Sequence, residues 1–160
     1  MSYLNISQVR AWLLPMVLLA ASAAYAQAPT VPGTQTLASK HDFKTLVART
    51  EAAIGAQKMG LVASASASAG AAGRGITIPG NTVLMVFRND FAVRMLQASV
   101  PAGIEAPIRL YVTENADGTA SLSYRTPSAV FAPYKSEQLD AMAVELDPIF
   151  ERIVRDATGG

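Results

Sequence analysis

The feature that most narrows the fold is a pair of alternating runs joined by a turn, PIRLYVTENADGTASLSYRT at residues 107–126. Ile108, Leu110 and Val112 alternate with Arg109, Tyr111 and Thr113, and Ala120, Leu122 and Tyr124 repeat the pattern beyond Asn115-Ala116-Asp117-Gly118. Successive side chains of a strand point to opposite faces, so this spacing predicts an antiparallel hairpin with one face in a core. Asn, Asp and Gly between the runs supply the turn.

The rest of the chain must cover that face. Asp42 can cap a helix carrying Phe43, Leu46, Val47 and Ile54 at helical spacing, with Gly60 suited to the position after its end. Residues 61–80, LVASASASAGAAGRGITIPG, alternate small apolar and small polar side chains, which predicts a strand from Val62 to Ser68 with a weak packing drive. Thr82–Phe87 is almost continuously apolar and reads as a central strand. Asn89 or Asp90 can cap a short helix carrying Phe91, Arg94, Met95 and Ala98 and ending before Pro101. Ser136 opens a long helix with Leu139, Met142, Ala143, Leu146, Ile149, Phe150, Ile153 and Val154 at spacings of three and four, and Pro148 inside it predicts a kink or a break at Asp147. Helix, two strands, short helix, hairpin, helix is not the alternation of a doubly wound fold. It predicts an α+β domain: an antiparallel sheet of about four strands packed against helices on one face.

The N-terminus has a separate reading. One basic residue, Arg10, precedes or borders the apolar stretch Ala11–Ala21, and Ala24-Tyr25-Ala26 is a small-x-small site before Gln27. This predicts a cleavable signal peptide over residues 1–26, with export to a periplasm or beyond the cell; an uncleaved anchor is the competing reading. No Cys is present for a lipid anchor, a disulfide or a thiolate ligand. Residues 27–40, rich in Pro, Thr, Gln and Gly, read as a flexible linker, residues 41–157 as one domain, and residues 158–160 as a disordered tail. Without Arg10 the 13 basic residues become 12, equal to the 12 acidic ones. That balance argues against nucleic acid, which needs a concentrated basic face, and no basic amphipathic stretch is present for a membrane surface.

Three stretches, HDFKTLVARTEAAIGAQKMGLV, TVLMVFRNDFAVRMLQASVPAGIEAPIRLYVTENADGTASLSYRTPSAVF and LDAMAVELDPIF, together resemble the bacterial family known as domain of unknown function 302. The resemblance runs from His41 to about Ala157. It implies a small α+β domain similar in outline to the TATA-binding-protein fold, often a homodimer, with no securely attached activity. Where that family usually reads Phe-Gly-Asn-Pro after the central strand, this chain reads Phe87-Arg88-Asn89-Asp90, and where relatives carry an Asp-His pair it has Ser66 and Ala67. A base supplied by that His is therefore not carried over.

Catalytic constellations do not assemble. The single His, His41, sits at the edge of the first helix, and with Asp42 it is too small a set for a closed metal site. Ser66-Ala67-Ser68-Ala69-Gly70 lacks the first Gly of a nucleophile elbow, and the glycines at 70–75 fit neither a P-loop nor a dinucleotide turn. An enzyme is disfavoured, and no cofactor or metal is expected. Two readings stand. One is a non-enzymatic domain binding a small, anionic ligand, with candidate contacts at Arg88, Asn89 and Asp90 beside a helix start, Arg74 in the Gly-rich loop, and Arg109, Tyr111 and Tyr124 on the hairpin, where Arg109 could lie near Arg125. Its alternative is a structural or protein-interaction homodimer in which the same sheet face is buried and no ligand exists. Asn89 is read foremost as a helix cap.

Overall fold

The computed structural model describes residues 31–160; the expected signal peptide and the first residues of the expected linker lie outside the described residues. Along the chain the elements are β1 (Thr34–Ala38), α1 (Phe43–Ala56), β2 (Gly60–Ala65), α2 (Ala67–Ala72), β3 (Asn81–Phe87), α3 (Asn89–Ala98), β4 (Ile108–Glu114), β5 (Ala120–Arg125), α4 (Pro127–Phe131) and α5 (Glu137–Thr158). Short 3-10 turns at Val100–Glu105 and Ala132–Tyr134 join α3 to β4 and α4 to α5.

The hairpin forms as its alternation predicts: β4 and β5 pair antiparallel with Leu110 opposite Tyr124 and Val112 opposite Leu122, and Gly118 turns the chain at a φ of 82°. All pairings are antiparallel, and the sheet order is β1-β5-β4-β3-β2. The sheet thus has five strands where about four were expected. The additional strand is β1, which pairs with β5 from inside the stretch read as a linker, so the folded domain begins before His41. Its sequence, TQTLA, carries one large apolar residue, Leu37, and is stabilised by a ladder to residues almost ninety positions away rather than by a local pattern.

Inward side chains of the sheet, Leu84 and Val86, Ile108, Leu110 and Val112, Ala120, Leu122 and Tyr124, form one core with Leu46 and Ile54 of α1 and Leu139, Met142, Leu146, Phe150 and Ile153 of α5. Asp42 caps α1 by accepting from the Thr45 amide, and Ser136 caps α5 by accepting from the Leu139 amide, both as predicted.

Four local expectations change. Gly60 does not follow the end of α1; Lys58 takes the left-handed turn, with a φ of 55°, and Gly60 opens β2. The small-residue strand stops at Ala65, because the Ser66 hydroxyl accepts from the Ala69 amide and starts α2. Pro148 does not break α5, which is helical throughout Glu137–Thr158, while the Asp147 carboxylate reaches sideways to accept from the Ser128 amide and hydroxyl at the start of α4. The C-terminal residues are tied in: the Gly159 amide donates to the Arg155 carbonyl at 3.0 Å, and Arg49 of α1 donates to the carbonyls of Asp156 and Ala157 at 2.7 Å. Arg49 thereby satisfies acceptors that the end of a helix leaves open.

Candidate functional site

The expected site divides between two places. At the first, β3 hands over to α3. Arg88, not Asn89, is the capping residue, with extended backbone and no side-chain cap, and Asn89 is the first helical residue. Arg88 donates from Nε to Asp90 Oδ1 at 2.8 Å and from its terminal nitrogen to Oδ2 at 3.1 Å, and its guanidinium lies 4.2 Å from the centre of the Phe91 ring. Those bonds, together with Arg88's charge, hold the Asp90 carboxyl below its ordinary range. A carboxylate in the first turn also suits the positive end of the helix dipole. The chain's own Asp90 therefore occupies the role expected of an external anion. Beneath it lies a cavity of about 30 Å³ between Met59, Phe91, Met95, Phe131 and Met142, room for about one water molecule.

The second place is the sheet face turned away from the core. Period-two geometry puts Arg109, Tyr111 and Thr113 of β4 there with Ser121, Ser123 and Arg125 of β5, and the register sets Tyr111 opposite Ser123 and Thr113 opposite Ser121. The same face continues across β3, where Met85 lies opposite Arg109 and Val83 opposite Tyr111, and reaches Ala63 and Ala65 of β2. On the other side Thr36 of β1 meets Ser123, their hydroxyl oxygens 2.8 Å apart. Arg109 is exposed and Tyr111 is 41% exposed.

At one corner of this face Arg109 and Arg125 line a pocket of about 60 Å³ with Glu105, Ile108 and Val130. Arg125 donates from a terminal nitrogen to the Ala129 carbonyl at 2.9 Å, while its Nε is buried and has no hydrogen-bond partner. Glu105 accepts from the Tyr134 hydroxyl at 3.0 Å. Two guanidiniums lining one pocket repel, and a single carboxylate at the same pocket offsets only one of them.

Of the residues proposed from sequence, the fold brings Arg109 and Tyr111 together and places Arg125 beside them. Tyr124 belongs elsewhere: it faces inward, is buried, and stacks on Phe150 with ring centroids 6.3 Å apart. Burial pushes its phenol up. Odd positions of β5 face outward and even ones inward, so Tyr124 cannot share a surface with Arg125. Arg74 stands exposed in the turn after α2 and makes no ion pair among the described residues. Glu105 joins the corner from the 3-10 turn before β4, where no periodic pattern announces it.

The model of the family described as "Domain of unknown function DUF302" matches residues 35–157. The chain belongs to the DUF302 family. Its fold is similar to the crystal structure of an uncharacterized conserved DUF302 protein from Bacillus stearothermophilus, with a TM-score of 0.71 and 16% sequence identity over 79% of this chain and 99% of that one. No curated protein matches the chain. The family match begins at Gln35, inside β1, so the edge strand read as linker falls within the DUF302 domain. In this DUF302 chain Ser66 donates to the Asn81 carbonyl at 2.6 Å and caps α2, a structural use of its hydroxyl.

Proposed function

We propose that this DUF302 domain binds a small anion, without chemistry of its own, at the corner of the open sheet face formed by Arg109 and Arg125. The observation that carries this reading is that two guanidiniums, Arg109 and Arg125, line one pocket with a single carboxylate, Glu105, and that the Arg125 Nε–H is unused by the protein. An Arg pair with spare donors matches a carboxylate or phosphate, whose oxygens accept two parallel bonds. The corner near Arg88 is the weaker choice because Asp90 already fills it.

Titrating the protein with sodium acetate against sodium chloride at equal ionic strength, followed through the arginine Nε–H signals by NMR, tests the proposal. Saturable shifts confined to Arg109 and Arg125, and their loss in an Arg109→Gln, Arg125→Gln double variant, are the expected result. Equal responses to both salts would refute it.

Assembly as a homodimer is a second reading, favoured by β2. This edge strand, GLVASA, has no charge or proline, and leaves Leu61 and Val62 exposed. Edges of that kind pair with further strands unless blocked. With the expected signal peptide, the setting of either role is an exported one.

A further inference from the structure

We infer that the occupant of the open sheet face is an amphiphilic monocarboxylate: its headgroup on Arg109 and Arg125, its apolar tail lying across β3 toward β2. This rests on the anion site proposed above and adds the class of ligand.

Two observations carry it. Charge selects a monoanion, since Arg109 and Arg125 contribute two positive charges at the pocket and Glu105 one negative, leaving one to neutralise. A dianion would overshoot and would be repelled by Glu105, whereas one carboxylate matches both the remaining charge and the fork geometry of a guanidinium. The register then sets what lies beside the headgroup. From Arg109 the row runs to Met85 and Ala63, and the adjoining row from Tyr111 to Val83 and Ala65. Apart from the Tyr111 hydroxyl these side chains are apolar or small. Val83 and Met85 are half-buried, while the two alanines are exposed and project little above the sheet. Strands lie about 4.8 Å apart, so the path from β4 to β2 is about 10 Å long. A soluble domain that sets a polar, cationic corner against an apolar strip on one exposed face presents the two halves of an amphiphile's complement.

Binding of acetate, butyrate and octanoate to the full-length protein, measured by isothermal titration calorimetry, tests the length of the tail. Octanoate should bind at least tenfold more tightly than acetate, because each methylene laid against Met85 and Val83 leaves water. A Val83→Thr, Met85→Thr variant, checked for unchanged folding by circular dichroism, should lose most of that gain and keep its acetate affinity. Equal affinities for the three acids would overturn the amphiphile inference while leaving the anion site standing; no binding of any of them would overturn both. Sedimentation analysis closes the remaining route. A dimer that the Val83→Thr, Met85→Thr variant dissociates, and that octanoate does not, would assign the face to a second copy of the chain and refute the inference.

Discussion

Lys58 holds a backbone angle that most side chains avoid, φ 55°, immediately after α1. The chain must reverse there within three residues to enter β2, and the Met59 amide donates back to the Ile54 carbonyl at 3.1 Å across the turn. A left-handed residue with a Cβ costs about 1–2 kcal/mol that glycine does not incur. Lys58→Gly should therefore raise stability by about 0.5–1 kcal/mol after glycine's larger loss of freedom is deducted, read as a higher urea midpoint with unchanged slope. Sequence pattern suggested a glycine for this reversal and found one two residues too late, at Gly60, because the turn is placed by packing of α1 against the sheet. Arg88 and Asp90 give a parallel case. A helix start was legible in Arg88-Asn89-Asp90, but the bond between two side chains two positions apart, one of which also lies over the Phe91 ring, is invisible to spacing.

Among the elements, β1 is the one that depends most on others. Gly33 precedes it at a φ of 78°, and a Cβ added there would lie 2.0 Å from the Cβ of Ala129 in α4, while the Gly33 carbonyl accepts from the Thr126 amide at 3.1 Å. The strand can dock on β5 only if its entry passes this close to α4. Gly33→Ala should detach β1, lowering stability by about 2 kcal/mol or more through the clash and the strained φ. Hydrogen exchange would show it directly, as amides of β5 that face β1 lose protection while those bonded to β4 keep theirs. Elements with strong internal periodicity, namely α1, β3, α5 and the β4–β5 hairpin, were readable from residues alone. β1 and α2 were not. TQTLA has too little apolar contrast to show a face, and ASAGAA is defined by the Ser66 cap and by Asn81, whose side-chain oxygen accepts from the Ala67 amide fourteen residues away.

At the scale of the whole molecule, four exposed carboxylates among the described residues are held by partners. Asp42 is lowered by the Thr45 amide and hydroxyl, Asp90 by Arg88, Asp117 by the Thr119 hydroxyl and amide, and Glu145 by the Arg94 guanidinium that links α3 to α5. Their ordinary values are 3.8 for the aspartates and 4.5 for Glu145. In the unfolded chain they bind protons more readily than in the fold, so their contribution is complete above those values and is lost as pH falls through the lower folded ones. The urea midpoint should stay level from pH 7 to about pH 5 and fall below pH 4, modestly, because these pairs are exposed and screened. A midpoint that rose on acidification would contradict the assignment. Sequence alone determined the α+β class, the hairpin and its inward face, two of the helix caps and the resemblance to DUF302, since each is written in local periodicity or in an ordered series of motifs. Tertiary structure decided that β1 is a fifth strand, that Asp90 satisfies Arg88, that Tyr124 belongs to the core, and that Glu105 meets Arg109 and Arg125 at one corner. Those facts concern residues distant along the chain or side chains choosing among nearby partners, and only packing brings such choices to a single answer.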